Sequence, residues 1–314
     1  MGHGKLKKFA ENETFRCLLQ PDASAILAKE PGSRELKLNP HPIKGRWGAD
    51  MFGNNNPIVL ELGCGKGDYT IALALRNPQI NYIGVDIKGA RLWKGAKFAT
   101  ENALPNVAFL RTRIEFIDAF FGPDEVSEIW LTFSDPQLRG SENARLSSPL
   151  FLARYRNFLK PGGLIHLKTD SRYLYEYTQA VVKVNALPLL AAGTDIYHHG
   201  ITLFGGGPIS GAGSLPQNVA CSGVDGRIDG GGPGAGIEPL PETVDTEVVT
   251  QVQTFYEKMF LKMGLPITYM AFTIGHEGPY AYPGDAFDHE KWLEAEGPRR
   301  SFSHQPNPKP SRPS

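Results

Sequence analysis

Four acids sit in or just after short apolar runs of the chain: Glu61, Asp86, Asp135 and Asp170. A carboxylate there can accept hydrogen bonds from a ligand, offset developing positive charge, or cap a turn. Around the first, "ELGCGKGD" (61–68) sets Gly63, Gly65 and Gly67 between a predicted strand and a predicted helix, so that a ligand can approach the backbone of the turn. Asp86 follows Glu61 by 25 residues, where an acid can hold a ribose diol. The spacing G-x-G-x-G departs from the dinucleotide pattern G-x-G-x-x-G, and no G-x-x-x-x-G-K-[ST] sequence occurs. An acid just ahead of the first glycine is more typical of S-adenosylmethionine sites, where it engages the methionyl end. The plainer alternative is a tight turn whose glycines serve packing alone.

The later acids fall in "LTFSDPQ" (131–137) and in "KTD", which places Lys168, Thr169 and Asp170 after another apolar run. In open α/β sheets ligands bind outside the carboxyl ends of the strands, so all four acids are expected along one edge. An isolated Asp in "SDP" caps a turn about as often as it faces a ligand. Cys17, Cys64 and Cys221 lack metal-ligand spacing, His198 and His199 make no convincing metal pair, and no metal is expected.

The elements that must position these residues are legible in the periodicity. Strands are predicted at 58–62, 81–87, 106–112, 128–133, 164–169 and 266–274, and helices at 69–76, 90–103, 114–121, 149–159, 172–184 and 245–264. Alternation of the two predicts an α/β fold with a mainly parallel sheet and helices on both faces. Residues 1–50 read as an irregular basic extension and 51–275 as the domain. A glycine-rich flexible insertion is expected at about 200–241, and 276–314 is expected to be a disordered Pro/Ser-rich tail. No signal peptide or stretch of roughly 20 apolar residues is seen, which predicts a cytoplasmic protein with reduced thiols and no membrane partner.

The 33 Lys and Arg balance 33 Asp and Glu, so no global charge advertises nucleic acid. Phosphate contacts would have to come from N-terminal basic residues, Arg139, Arg145, Arg154, Arg156, Lys160, Lys168 and Arg172. Arg154, Arg156 and Lys160 equally suit a solvated helix face. Tyr173, Tyr175 and Tyr177 suit packing better than base stacking.

Together "VLELGCGKGDYTIALA", "YIGVDIKGARLWKGAKFA", "LTFSDPQ", "GGLIHLKTDSRYLYEY" and "TFYEKMF" resemble the bacterial tRNA (guanine-N7)-methyltransferase family, over about residues 57–196 and 245–274. The resemblance implies a Rossmann-like class I methyltransferase with a seven-stranded, mainly parallel sheet whose last strand is antiparallel. It implies S-adenosylmethionine as cofactor, tRNA rather than DNA as partner, and a monomer or homodimer. By position, Glu61, Gly63, Gly65, Gly67, Asp86, Arg113 and Asp135 would bind the cofactor. Asp135 and Asp170 would be catalytic, and Arg139, Asp170, Thr254, Phe255, Tyr256 and Glu257 would meet the substrate, guanosine 46 of the variable loop. Gln137 departs from the family's Trp, Arg113 stands where many members have an acid, and the basic run after "SDP" is thinned. N7 of guanine carries a lone pair and no proton, so methylation there needs alignment and carboxylates near the developing charge, not a strong base. A class I enzyme acting on a small molecule, or a catalytically silent S-adenosylmethionine- or RNA-binding protein, are the alternative readings.

Overall fold

The structure, a computed structural model, describes residues 3–28, 37–204, 244–275 and 278–300, with side chains to 296. The glycine-rich insertion beyond Phe204 and the last residues of the tail lie outside them. Three strands run almost where the apolar runs predict: β2 (Ile58–Leu62), β3 (Asn81–Asp86) and β4 (Val107–Arg111). β5 (Val126–Thr132), β6 (Leu159–Thr169), β7 (Leu189–Gly193) and β9 (Thr268–Thr273) complete a seven-stranded core. Two-residue strands β1 (Leu18–Leu19) and β8 (Thr202–Leu203) extend its edges, giving the order β1-β4-β3-β2-β5-β6-β9-β7-β8. The pairs from β1 to β6 are parallel, while β9 runs antiparallel between β6 and β7.

β2 and β3 are buried throughout, as strands covered on both faces must be. Alternation still sorts their side chains: Ile58, Leu60 and Leu62 enter one apolar cluster, and Val59 the other. The covering helices are α3 (Asp68–Arg76), α4 (Gly89–Glu101), α5 (Pro149–Tyr155) and α6 (Arg172–Val184). Ser148 and Ser171 cap α5 and α6 by accepting from the amides of Phe151 and Leu174. Residues 114–119 form a 3-10 turn. No helix among the described residues is long and apolar enough to cross a membrane.

Several expectations are corrected. The single helix expected at 245–264 is two, α7 (Thr246–Gln251) and α8 (Phe255–Lys262). A reciprocal capping box between Thr254 and Glu257 restarts the helix. The helix expected at 149–159 ends at Tyr155, and β6 begins at Leu159 and runs through the "KPGG" that follows, ahead of the strand expected at 164–169. Nor is the N-terminal part an irregular extension. There α1 (His3–Asn12) packs on α4, β1 pairs with β4, the short α2 (Ala23–Ile26) buries Ile26, and Trp47 is wholly buried with its indole N–H on the Phe120 carbonyl at 2.9 Å. The tail contributes Tyr280 to the core, pairs Ala281 with the Asn185 side chain, and forms α9 (His289–Arg300) against α6.

Candidate active site

The carboxyl ends of β2, β3, β4, β5 and β6 open on a cleft of about 800 Å³, joined to a recess of about 100 Å³ over the glycine loop. Gly63, Arg91, Phe133 and Tyr256 line both. Three of the four acids, Asp86, Asp135 and Asp170, face the cleft, and Glu61 lines the recess.

Glu61 points from β2 into a nearly closed environment, 4% exposed. One oxygen accepts from the backbone amide of Thr70 at 2.8 Å and from its hydroxyl; the other accepts from the Thr132 hydroxyl at 2.6 Å. Burial outweighs these bonds and pushes its carboxyl up to about 7. Asp86 ends β3 and accepts from the Gly65 amide at 3.0 Å and the Lys88 amide at 2.7 Å, which fixes the glycine loop against the next strand.

The three loop glycines serve two purposes. Gly63 and Gly65 have φ of +79° and +58°, and a Cβ on either would meet no protein atom within 4 Å. Their open side lies along the recess, so a ligand can lie against bare backbone there. Gly67, at φ +72°, is the N-cap of α3, and a Cβ there would come within 2.5 Å of the Phe109 ring, so this glycine also lets the start of α3 pack against β4. S-adenosylmethionine fits this lining: Gly63 and Gly65 would offer bare backbone as a cradle, and the Asp86 carboxylate lies on the same cleft.

Asp135 is exposed in the loop after β5 and accepts from the Gln137 amide at 2.9 Å. Phe133 and Gln137 flank it with φ of +50° each. Asp170 is half-buried directly after β6. Arg113 sits at the cleft mouth, paired with Glu115 at 3.2 Å; Arg139 is exposed outside the lining. From the α8 segment, Thr254 lines the recess as helix cap, Tyr256 lines both cavities, and Phe255 is exposed beneath the Lys66 ammonium, 5.2 Å from its ring centre.

Glu257 is not brought to the cleft. It is fully buried and pairs with fully buried Lys168 at 2.7 Å, while Tyr197 donates to it at 2.7 Å. Lys168 also donates to the carbonyls of Val249 at 2.5 Å and Val252 at 3.0 Å. Burial pulls its ammonium below the usual lysine range, and Glu257 opposes that shift. Lys168 and Arg145 are therefore enclosed and not placed to meet RNA phosphates. Tyr173, Tyr175 and Tyr177 are packed, as expected. The sequence reading missed the apolar wall of Met259, Phe260, Met263 and Leu265, and the buried Glu296 beside it. Helical spacing after "TFYE" was the available signal for the wall; Glu296 gave none.

An antiparallel strand slotted between the last two parallel ones, a glycine turn after β2 and an acid at the end of β3 define a class I methyltransferase, which uses S-adenosylmethionine. Residues 55–192 match the family model described as "Putative methyltransferase". The tRNA (guanine-N(7)-)-methyltransferase of Christiangramia forsetii is 41% identical over 271 residues, covering 86% of this chain and 97% of its own. That of Bacteroides thetaiotaomicron is 38% identical over 283 residues, 90% of each chain. The relative from Porphyromonas gingivalis is 37% identical over 92% of this chain and 98% of its own. The chain belongs to the tRNA (guanine-N(7)-)-methyltransferase family.

Proposed function

We propose that the protein methylates N7 of guanosine 46 in the variable loop of tRNA, acting in the cytoplasm as a monomer or homodimer. The observation that carries this reading is one cleft that joins the glycine cradle and Asp86 to two further carboxylates, Asp135 and Asp170. S-adenosylmethionine supplies an electrophilic methyl group on a sulfonium. The chain's part is to align the N7 lone pair with that methyl carbon and exclude water, because no proton leaves N7. As the methyl bond forms, positive charge spreads into the purine, and Asp135 and Asp170 stabilise it. The same carboxylates accept from N1–H and the exocyclic amine, donors that adenine does not present in that arrangement.

Tyr256 and the apolar wall of α8 supply a face for the unstacked base. Thr254 and Glu257 act one step back, through the cap that holds Tyr256 in place. Exposed Arg139 is left as a phosphate contact on the rim.

Unmodified tRNA incubated with labelled S-adenosylmethionine should acquire label at a variable-loop site that aniline then cleaves. Asp135→Ala and Asp170→Ala should each lower kcat by about a hundredfold or more with the fold intact. Transfer to no tRNA bearing that guanosine rejects the function; near-normal rates in both variants reject the site.

A further inference from the structure

The segment after β9 grips the loop that carries Asp135 through a chain of contacts that runs from exposed His289 to buried Arg145. Arg145, 4% exposed, donates from Nε to the Pro136 carbonyl at 3.1 Å and from Nη2 to the Tyr173 hydroxyl at 2.6 Å. Its guanidinium lies over the rings of Tyr173 and Tyr177, 5.1 and 4.5 Å from their centres. On the other side of the same phenol oxygen stands His289 Nδ1, at 2.6 Å. Arginine can only donate, so the phenol oxygen accepts from Arg145, and its own proton can serve the His289 nitrogen in the tautomer that leaves Nδ1 bare. The backbone amide of Tyr173 donates to Glu296 at 3.3 Å, and Phe287 packs edge-on against Tyr173 and Tyr177. Thus α9 holds Tyr173 by side chain and backbone, in the first turn of the helix that follows Asp170.

The Asp135 loop requires outside support. Left-handed φ at Phe133 and Gln137 costs a residue with a side chain roughly 1–2 kcal/mol each, and persists only where the surroundings over-determine it. Arg145 reaches the carbonyl between Asp135 and Gln137 and is itself fixed through Tyr173. One aromatic residue therefore joins the supports of both cleft carboxylates.

We propose that α9 is a brace, and that Arg145, Tyr173, His289 and Glu296 are positioning residues that set Asp135 and Asp170 relative to one another across the cleft. The inference rests on the proposed function only in naming those two acids as the reactive groups. Tyr173→Phe in the full chain keeps the ring and deletes the oxygen shared by Arg145 and His289. It should lower kcat for tRNA about tenfold to a hundredfold, as a small misplacement of reacting groups does. KM for tRNA and the Kd of S-adenosylmethionine should stay within about twofold, and the concentration of S-adenosylmethionine sites should still equal that of the protein, which excludes an unfolded fraction as the cause of the lower kcat.

His289→Ala alone should lower kcat, but should cost little more in the Tyr173→Phe background, because both changes break one relay. Arg145→Lys should retain more activity than Arg145→Met. Hydrogen exchange at the Gln137 and Gly140 amides should quicken in Tyr173→Phe. A kcat within twofold of the unaltered protein, or losses that simply multiply, overturns the brace. If the unaltered protein methylates no tRNA, the functional reading fails separately, and exchange decides: faster at those amides supports the brace, unchanged protection rejects it.

Discussion

Burial pushes Glu61 up to about 7 from an ordinary 4.5, so at intermediate pH the folded protein holds a proton that the unfolded chain gives up. The sign follows directly. The contribution is fully present below pH about 4.5, is lost as pH rises towards 7, and changes little above that. A shift of this size corresponds to roughly 3 kcal/mol. Glu61→Gln keeps the shape and the acceptor for Thr70 but removes the titration. Relative to the unaltered protein the variant should gain stability between pH 5 and pH 8, read from urea midpoints at the two values. Parallel pH profiles would show that Glu61 titrates normally when folded. Gly67 is the reverse kind of residue: its place in the motif suggests a ligand, yet its neighbours show that it is there for Phe109.

At the scale of elements, the buried Lys168–Glu257 pair ties the end of β6 to the start of α8 and to the carbonyls that close α7. Lys168→Met leaves a carboxylate uncompensated in the interior and should cost about 3–5 kcal/mol, measured by denaturant unfolding. Adding Glu257→Gln should restore part of that loss; additive losses would mean the two side chains do not depend on each other. This pair also marks where reading the sequence stopped. "KTD" and "TFYE" bring Asp170 and Tyr256 to the cleft lining, but a motif does not say which way each side chain points, and Glu257, expected at the base, is buried against Lys168. The parallel strands were legible because continuous runs such as "IVLEL" have few other uses in an α/β chain. β7 was missed because three of the five residues of "LLAAG" are alanine or glycine and none is β-branched or aromatic to signal a strand. α9 was hidden by its polar composition; its hold on the domain comes from a few residues, His289 and Glu296 among them, that carry no periodic signal.

At the scale of the molecule, the segments before β2 and after β9 are parts of one folding unit. Trp47 is wholly buried and stacks on Phe121 with ring centres 5.4 Å apart, and Glu125 accepts from the amides of Gly45, Trp47 and Gly122. Trp47→Ala should therefore cost about 3–5 kcal/mol and shift a single unfolding transition. A midpoint within experimental error of the unaltered protein would make the N-terminal segment a passive appendage. The order of strands has a further consequence, for synthesis. β6 and β7 do not touch each other; β9 lies between them, and it begins only at Thr268. While the ribosome makes everything from Gly193 to Thr268, β6 presents a bare hydrogen-bonding edge and β7 has no partner in the core sheet. The parallel part from β1 to β6 can close as it emerges, but β7 must wait for β9 to dock between it and β6, so a nascent protein stalled in that interval is the form most exposed to aggregation.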